Sequence, residues 1–148
     1  LFVWTGVLGI FSLVSCEGPP RDQTAAAATD ISLNTGITET SPDEEYVMVT
    51  TAASLPLYVT HDQAAFKAWG KARGVKVSIV GPSDWDIPGQ VEAIEQVIAT
   101  RPAGMLINGT DLGIAGAINK AVEAGIPTVV YDSDVPSKRH CFLGSDWY

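Results

Sequence analysis

Basic side chains are scarce in this chain. Lys and Arg number 9 among 148 residues, against 17 Asp and Glu, for a net charge of −8. No basic stretch is dense enough to follow a phosphate backbone, so nucleic acid is excluded as a partner. The acidity itself reads as a solvated, soluble surface. Histidine is rarer still, and His61 and His140 are the only two. His61 fits an exposed first helical turn, and His140 belongs to the polar lead-in "SKRH". G-x-S-x-G is absent, which removes the nucleophile elbow. Metal ligation needs donors clustered at short spacing. The adjacent pair His140-Cys141 would point opposite ways on a strand, so no metal is expected. A phosphate-cradling glycine loop is missing as well. "NGTDLGIAG" carries Gly109, Gly113 and Gly116, but not at G-x-G-x-x-G spacing, and "AASLPLY" after the first strand has no glycine. With no Walker sequence either, no cofactor is expected, and an enzyme is disfavoured.

The sequence also lacks any apolar run long enough to span a bilayer, which takes about 20 residues. "LFVWTGVLGIFSLVSCEG" is apolar from Leu1 to Val14, the length of a signal-peptide core. Its ending, Leu13-Val14-Ser15-Cys16, resembles the bacterial lipobox, in which the cysteine is lipidated and becomes the mature N-terminus. Residues 1–16 are therefore expected to be a lipoprotein signal peptide, entered after its own start because Met and a basic n-region are missing. Residues 17–44 are rich in Gly, Pro, Ala, Thr, Ser and Asp and read as a flexible tether. A disulfide from Cys16 to Cys141 is set aside, since Cys16 has this explanation. Cys141, in "RHCFLGS", reads as a small buried side chain.

Residues 45–148 alternate strand and helix. "YVMVTT" (46–51), "VKVSIV" (75–80), "GMLING" (104–109), "PTVVYD" (127–132) and "HCFLGS" (140–145) read as strands, with Val129, Val130 and Tyr131 buried on both faces. Between them, "QAAFKAWGKARG" puts Ala65, Trp69 and Ala72 on one helical face. "QVEAIEQVIATR" turns Val91, Ile94 and Ile98 inward and Glu92, Glu95 and Gln96 outward. "DLGIAGAINKAVEAG" turns Ile114, Ile118, Ala121 and Val122 inward, and "SDWY" looks like a first helical turn capped by Ser145. Apolar strands separated by amphipathic helices predict a parallel sheet covered on both faces, with right-handed crossovers. The expected fold is α/β, a doubly wound, flavodoxin-like sheet in the order 2-1-3-4-5.

Such sheets bind ligands outside the carboxyl ends of the strands, near the switch point between strands 1 and 3. That edge is formed by loops 52–62, 81–89, 108–111 and 132–138. Asp132 and Asp134 stand on it, and ionised carboxylates accept hydrogen bonds from adjacent hydroxyls of a sugar or polyol. Asp134, ahead of Val135-Pro136, serves either ligand or turn. Tyr58, Trp85 and Trp147 lie in or beside the same loops and can cover the apolar face of a sugar, with loop packing the alternative for Trp85. Asn108 and Asp111 join the candidates by their place after the third strand. Asn108-Gly109-Thr110 is also a formal glycosylation sequon, and reads as a turn.

"GPSDWDIPGQVEAIEQVIATRPAGMLI" and "AINKAVEAGIPTVVYDSDVPSKRHCFLGSDWY" resemble the amino-terminal lobe of ribose-type periplasmic binding proteins, from about Glu45 to Tyr148. The resemblance implies a monomeric solute-binding subunit that delivers a sugar to an ABC permease by closing two lobes around it. Together with the lipobox-like ending at Cys16, it implies a bacterial protein at the periplasmic or extracellular face, held to the membrane by a lipid on that cysteine. It also implies that Asp132 contacts ligand, and that Ser54, Leu57 and Tyr58 line the site from the loop after strand 1. Leu57 stands where an aromatic is common, and Ser133 where many ribose binders carry arginine, which points away from ribose. A second lobe and hinge are not found, so a longer gene product is expected. A periplasmic sensor feeding a receptor kinase is the alternative. A repressor would need a helix-turn-helix, and a flavodoxin-like enzyme a phosphate loop.

Overall fold

The computed structural model describes residues 40–144. Cys16, Trp147, the Ser145 cap and the tether up to residue 39 lie outside the described residues. Five strands, β1 (Glu45–Val49), β2 (Lys76–Val80), β3 (Gly104–Gly109), β4 (Thr128–Asp132) and β5 (Cys141–Gly144), form one sheet. The order is β2-β1-β3-β4-β5 and every neighbouring pair is parallel, as the sequence predicts. Helices α1 (Ala64–Arg73), α2 (Ile87–Thr100) and α3 (Ala115–Glu123) are the crossovers. β4 reaches β5 by an irregular loop.

The core lies between the sheet and α2 and α3. Alternation along the strands sends Val47, Val49, Met105, Ile107 and Val130 to that face, where Ala93, Ile94, Val97, Ile114, Ile118 and Ala121 meet them. α2 starts at Ile87, three residues before its expected start. Asp86 caps it by accepting from Gly89 N at 3.1 Å, and Pro88 sits in the first turn, where its missing N–H costs nothing. The buried stripe of α2 is Gln90, Ala93, Ile94 and Val97, flanked by half-buried Val91 and Ile98.

The expected inner face of α1 is corrected. Phe66 and Gly70 face the sheet, whereas Ala65 and Ala72 are exposed and Trp69 is 36% exposed. A π-helical turn, Tyr58–Gln63, leads into the helix. Its i→i+5 bonding takes up more residues per turn and so rotates the register of α1. Gly70 then lets the helix press on β2, since a Cβ there would overlap the Val77 side chain. Trp69 packs at the helix margin instead, edge-on to Tyr46 at 5.1 Å and stacked on Phe66 at 5.7 Å.

Two burial expectations also change. Cys141 is exposed. β5 is the last strand of the sheet, and only one of its faces is covered within the described residues. Phe142 packs on the core, while Cys141 and Leu143 take the open face. Of Val129, Val130 and Tyr131 in β4, the first and last are half-buried and only Val130 is sealed.

Candidate functional site

Four strand ends bring their loops to one edge. Backbone bonds tie the loop after β1 to the loop after β2, with Ala53 N donating to Pro82 O at 2.7 Å and Ser54 N to Ser83 O at 3.0 Å. The first strand pair therefore presents a double wall. β3 and β4 end in register, with Asn108 opposite Tyr131 and Gly109 opposite Asp132. Asp132 has φ 77, one of two positive-φ residues other than glycine among those described. Aspartate tolerates that left-handed conformation better than most residues, and strained backbone of this kind concentrates at binding sites. Gly109 makes room for it: Ser133 N donates to Gly109 O at 3.2 Å, and a Cβ on Gly109 would overlap Ser133 O.

Asn108, fully buried, is the hub. Its Nδ2 donates to Asp132 Oδ2 at 3.2 Å, and its Oδ1 lies 3.1 Å from Thr51 Oγ1. Its backbone oxygen accepts from Gln90 Nε2 at 2.8 Å. Thr51 Oγ1 also lies 2.8 Å from Gln90 Oε1 and 2.7 Å from Thr110 Oγ1. Two hydroxyl protons are thus shared among several acceptors, and β1, α2 and β3 are locked together beneath the site.

Tyr58 completes the inner wall. It is 7% exposed, and its phenol is held above the usual range, first by burial and then by the negative charge of Asp132, with the Asn108 amide pulling the other way and Asp62 adding to the rise. Tyr58, Asn108 and Asp132 therefore converge. The result is an aromatic body, an amide and a carboxylate close together at the carboxyl edge of the sheet, groups suited to a neutral ligand with both hydroxyls and an apolar face.

The remaining candidates are spread around this trio. Leu57 and Trp85 stand out at 59% and 60% exposure, free of the core, and Ser54 is exposed on the β1 loop. Asp111 accepts from Gly113 N at 2.6 Å and so caps the 3₁₀ turn Leu112–Ile114. Asp134 is held by Arg139, whose Nη2 lies 2.8 Å from Oδ1 and 2.9 Å from Oδ2. Arg139 in turn lies over the Phe142 ring at 5.8 Å. His61 is exposed, as expected. Among the described residues no group of His, Cys, Asp and Glu is placed to hold a metal ion.

Sequence reasoning missed Thr51, Gln90 and Thr110, which hold the site from below, and Asp62 and Tyr131, which stand beside it. Gln90 carries a usable signal, because it is the one polar residue on the stripe Gln90, Ala93, Ile94 and Val97. A buried polar group on such a stripe has a partner waiting for it.

Comparison with known proteins bears on this edge. Residues 46–148 match a family model described as a periplasmic binding protein domain. Two solved structures share about two fifths of aligned residues. A sugar ABC transporter sugar-binding protein from Bacillus halodurans is 39% identical with TM-score 0.62, over 67% of this chain and 34% of that one. AraP, an arabinose binding protein from Geobacillus stearothermophilus, is 40% identical with TM-score 0.63, over 68% and 35%. A periplasmic sugar-binding protein of an ABC sugar transporter from Legionella pneumophila is 28% identical with TM-score 0.62, over 70% and 40%. Among curated proteins, none matches. The five-stranded parallel sheet in the order 2-1-3-4-5 matches a lobe of periplasmic binding proteins. The chain belongs to the periplasmic binding protein domain family, and it spans between a third and two fifths of the length of these relatives.

Proposed function

We propose that the protein is the solute-binding component of an ABC importer, taking up a neutral sugar or polyol and passing it to a membrane permease. The convergence of Tyr58, Asn108 and Asp132 carries the reading. Asp132 accepts hydrogen bonds from ligand hydroxyls, Tyr58 packs on the sugar ring, and Asn108 holds Asp132 in place. Trp85, Leu57 and Ser54 extend the rim, and a second lobe closes over the ligand. The protein acts as a monomer without covalent chemistry, outside the cytoplasmic membrane and tethered by a lipid on Cys16. Descriptions of the relatives as sugar-binding, and of one as arabinose-binding, support this class of ligand.

The test is a thermal-shift screen of the chain extended to the length of its relatives, against pentoses, hexoses and polyols. A ligand at a hundred times its Kd raises stability by about 2.7 kcal/mol. A shift that disappears in Asp132→Ala supports the reading. A folded protein that responds to flavin or nucleotide and to no sugar overturns it.

A further inference from the structure

Asp62 and Tyr131 stand together just outside the trio. Asp62 is the penultimate residue of the π-helical turn before α1, and Tyr131 the penultimate residue of β4. Both line an open groove of about 710 Å³ along the α1 face of the sheet, whose other walls include Met48, Phe66, Leu106 and Val129. Theirs is the end of the groove nearest the carboxyl edge of the sheet.

The Tyr131 hydroxyl is buried without a hydrogen-bond partner. So is Thr50 Oγ1, on a fully buried residue close enough to act on the phenol. Buried hydroxyls in folded proteins are paired, and an unpaired one marks the place of a water or a ligand. Charge points the same way. The Asp62 carboxyl is held above the usual range by burial first and then by Asp132, with His61 opposing. The Tyr131 phenol is raised by burial first, then by Asp62 and Tyr58, with the Thr50 hydroxyl opposing and Asp132 adding to the rise. Asp62 and Asp132 therefore act on one space from two sides.

We propose that Asp62 and Tyr131 form a second hydroxyl-recognising position of the ligand site, one that admits uncharged polyhydroxylated ligands and rejects anionic ones; this rests on the sugar-binding reading above. A ligand hydroxyl there donates to the Asp62 carboxylate and accepts from the Tyr131 phenol, completing a group the protein leaves unpaired. A phosphate or carboxylate at the same place faces two carboxylates and, in the described loops of this edge, no Lys or Arg free of an acidic partner. Loops 50–63, 81–89 and 108–114 contain neither Lys nor Arg. In the loop after β4, Lys138 is paired with Glu123 at 2.7 Å and Arg139 with Asp134 at 2.8 Å.

The experiment is calorimetric titration of the chain extended to the length of its relatives, as wild type, Asp62→Asn and Tyr131→Phe. The probes are arabinose, xylose, ribose and ribose 5-phosphate. The expected result is at least tenfold weaker binding of the neutral sugar in both variants, with the unliganded melting temperature of Tyr131→Phe not lowered. Ribose 5-phosphate is rejected by wild type, and the margin narrows in Asp62→Asn. Variants that bind the neutral sugar within twofold of wild type overturn this position and leave the sugar-binding reading intact. Wild type that takes the sugar phosphate as tightly as ribose overturns it too. Wild type that binds no sugar removes both.

Discussion

Asn108 Nδ2 lies 3.2 Å from Asp132 Oδ2, so the amide at the end of β3 aims the carboxylate at the end of β4. The same amide oxygen is 3.1 Å from Thr51 Oγ1 of the loop after β1. One side chain thus connects the loops on both sides of the switch point, and the carboxylate is oriented before any ligand arrives.

Asn108→Leu, similar in volume, deprives exposed Asp132 and fully buried Thr51 of this partner. Stability should fall by about 1–3 kcal/mol. Urea unfolding checks it, and the midpoint should drop with the slope unchanged.

Gly70→Ala separates helix propensity from packing. In a free helix the change would add about 0.5–1 kcal/mol of stability. Here the new methyl meets Val77. Overpacking of this kind costs about 1–3 kcal/mol, so a net loss in chemical unfolding is expected.

Asp62 gives a pH-dependent signature with a definite sign. Its folded-state pKa is raised above the ordinary 3.8. The folded form therefore takes up the proton more readily, and the group's contribution is fully present below pH 3.8 and lost as pH rises through the folded value. Above that value the charge is a penalty, which Asp62→Asn removes. The carboxylate is largely solvent-screened, so the gain at pH 7 should be only about 0.2–1 kcal/mol. Melting curves at pH 7 and pH 4 should show it at the higher pH and not at the lower.

Asp134 and Asp132 should separate cleanly. Asp134 is half-exposed and spends its carboxylate on Arg139. Asp134→Ala should change stability by less than about 1 kcal/mol, the range for such pairs. It should also weaken ligand less than Asp132→Ala does, and side-by-side titrations of the two variants check the order.

Legibility of the sequence followed its physics. "GMLING" has the observed bounds of β3, because a glycine at each end of an apolar run marks both limits. Sheet order followed from the alternation of elements and the handedness of crossovers. Asn108 and Asp132 could be named because they sit at strand ends, and Tyr58 because it is the aromatic in the segment that follows the first strand. The inner face of α1 was illegible, since a π-helical turn shifts register without changing composition. The exposure of Cys141 was illegible for a different reason, because local sequence does not show which face of a last strand is covered. Thr51, Gln90 and Thr110 come from three separate segments, and only the folded sheet brings them within hydrogen-bonding distance. Asp62 closed a segment that read as loop, with nothing local to single it out, and Tyr131 lay in one that read as core strand.

The most direct test of the central claim is a crystal structure of the chain extended to the length of its relatives, grown with the sugar that gives the largest thermal shift. The account predicts a ligand hydroxyl about 2.5–2.8 Å from an Asp132 carboxylate oxygen, with the sugar ring against Tyr58. A bound sugar that leaves Asp132 free at the carboxyl edge of the sheet would contradict it.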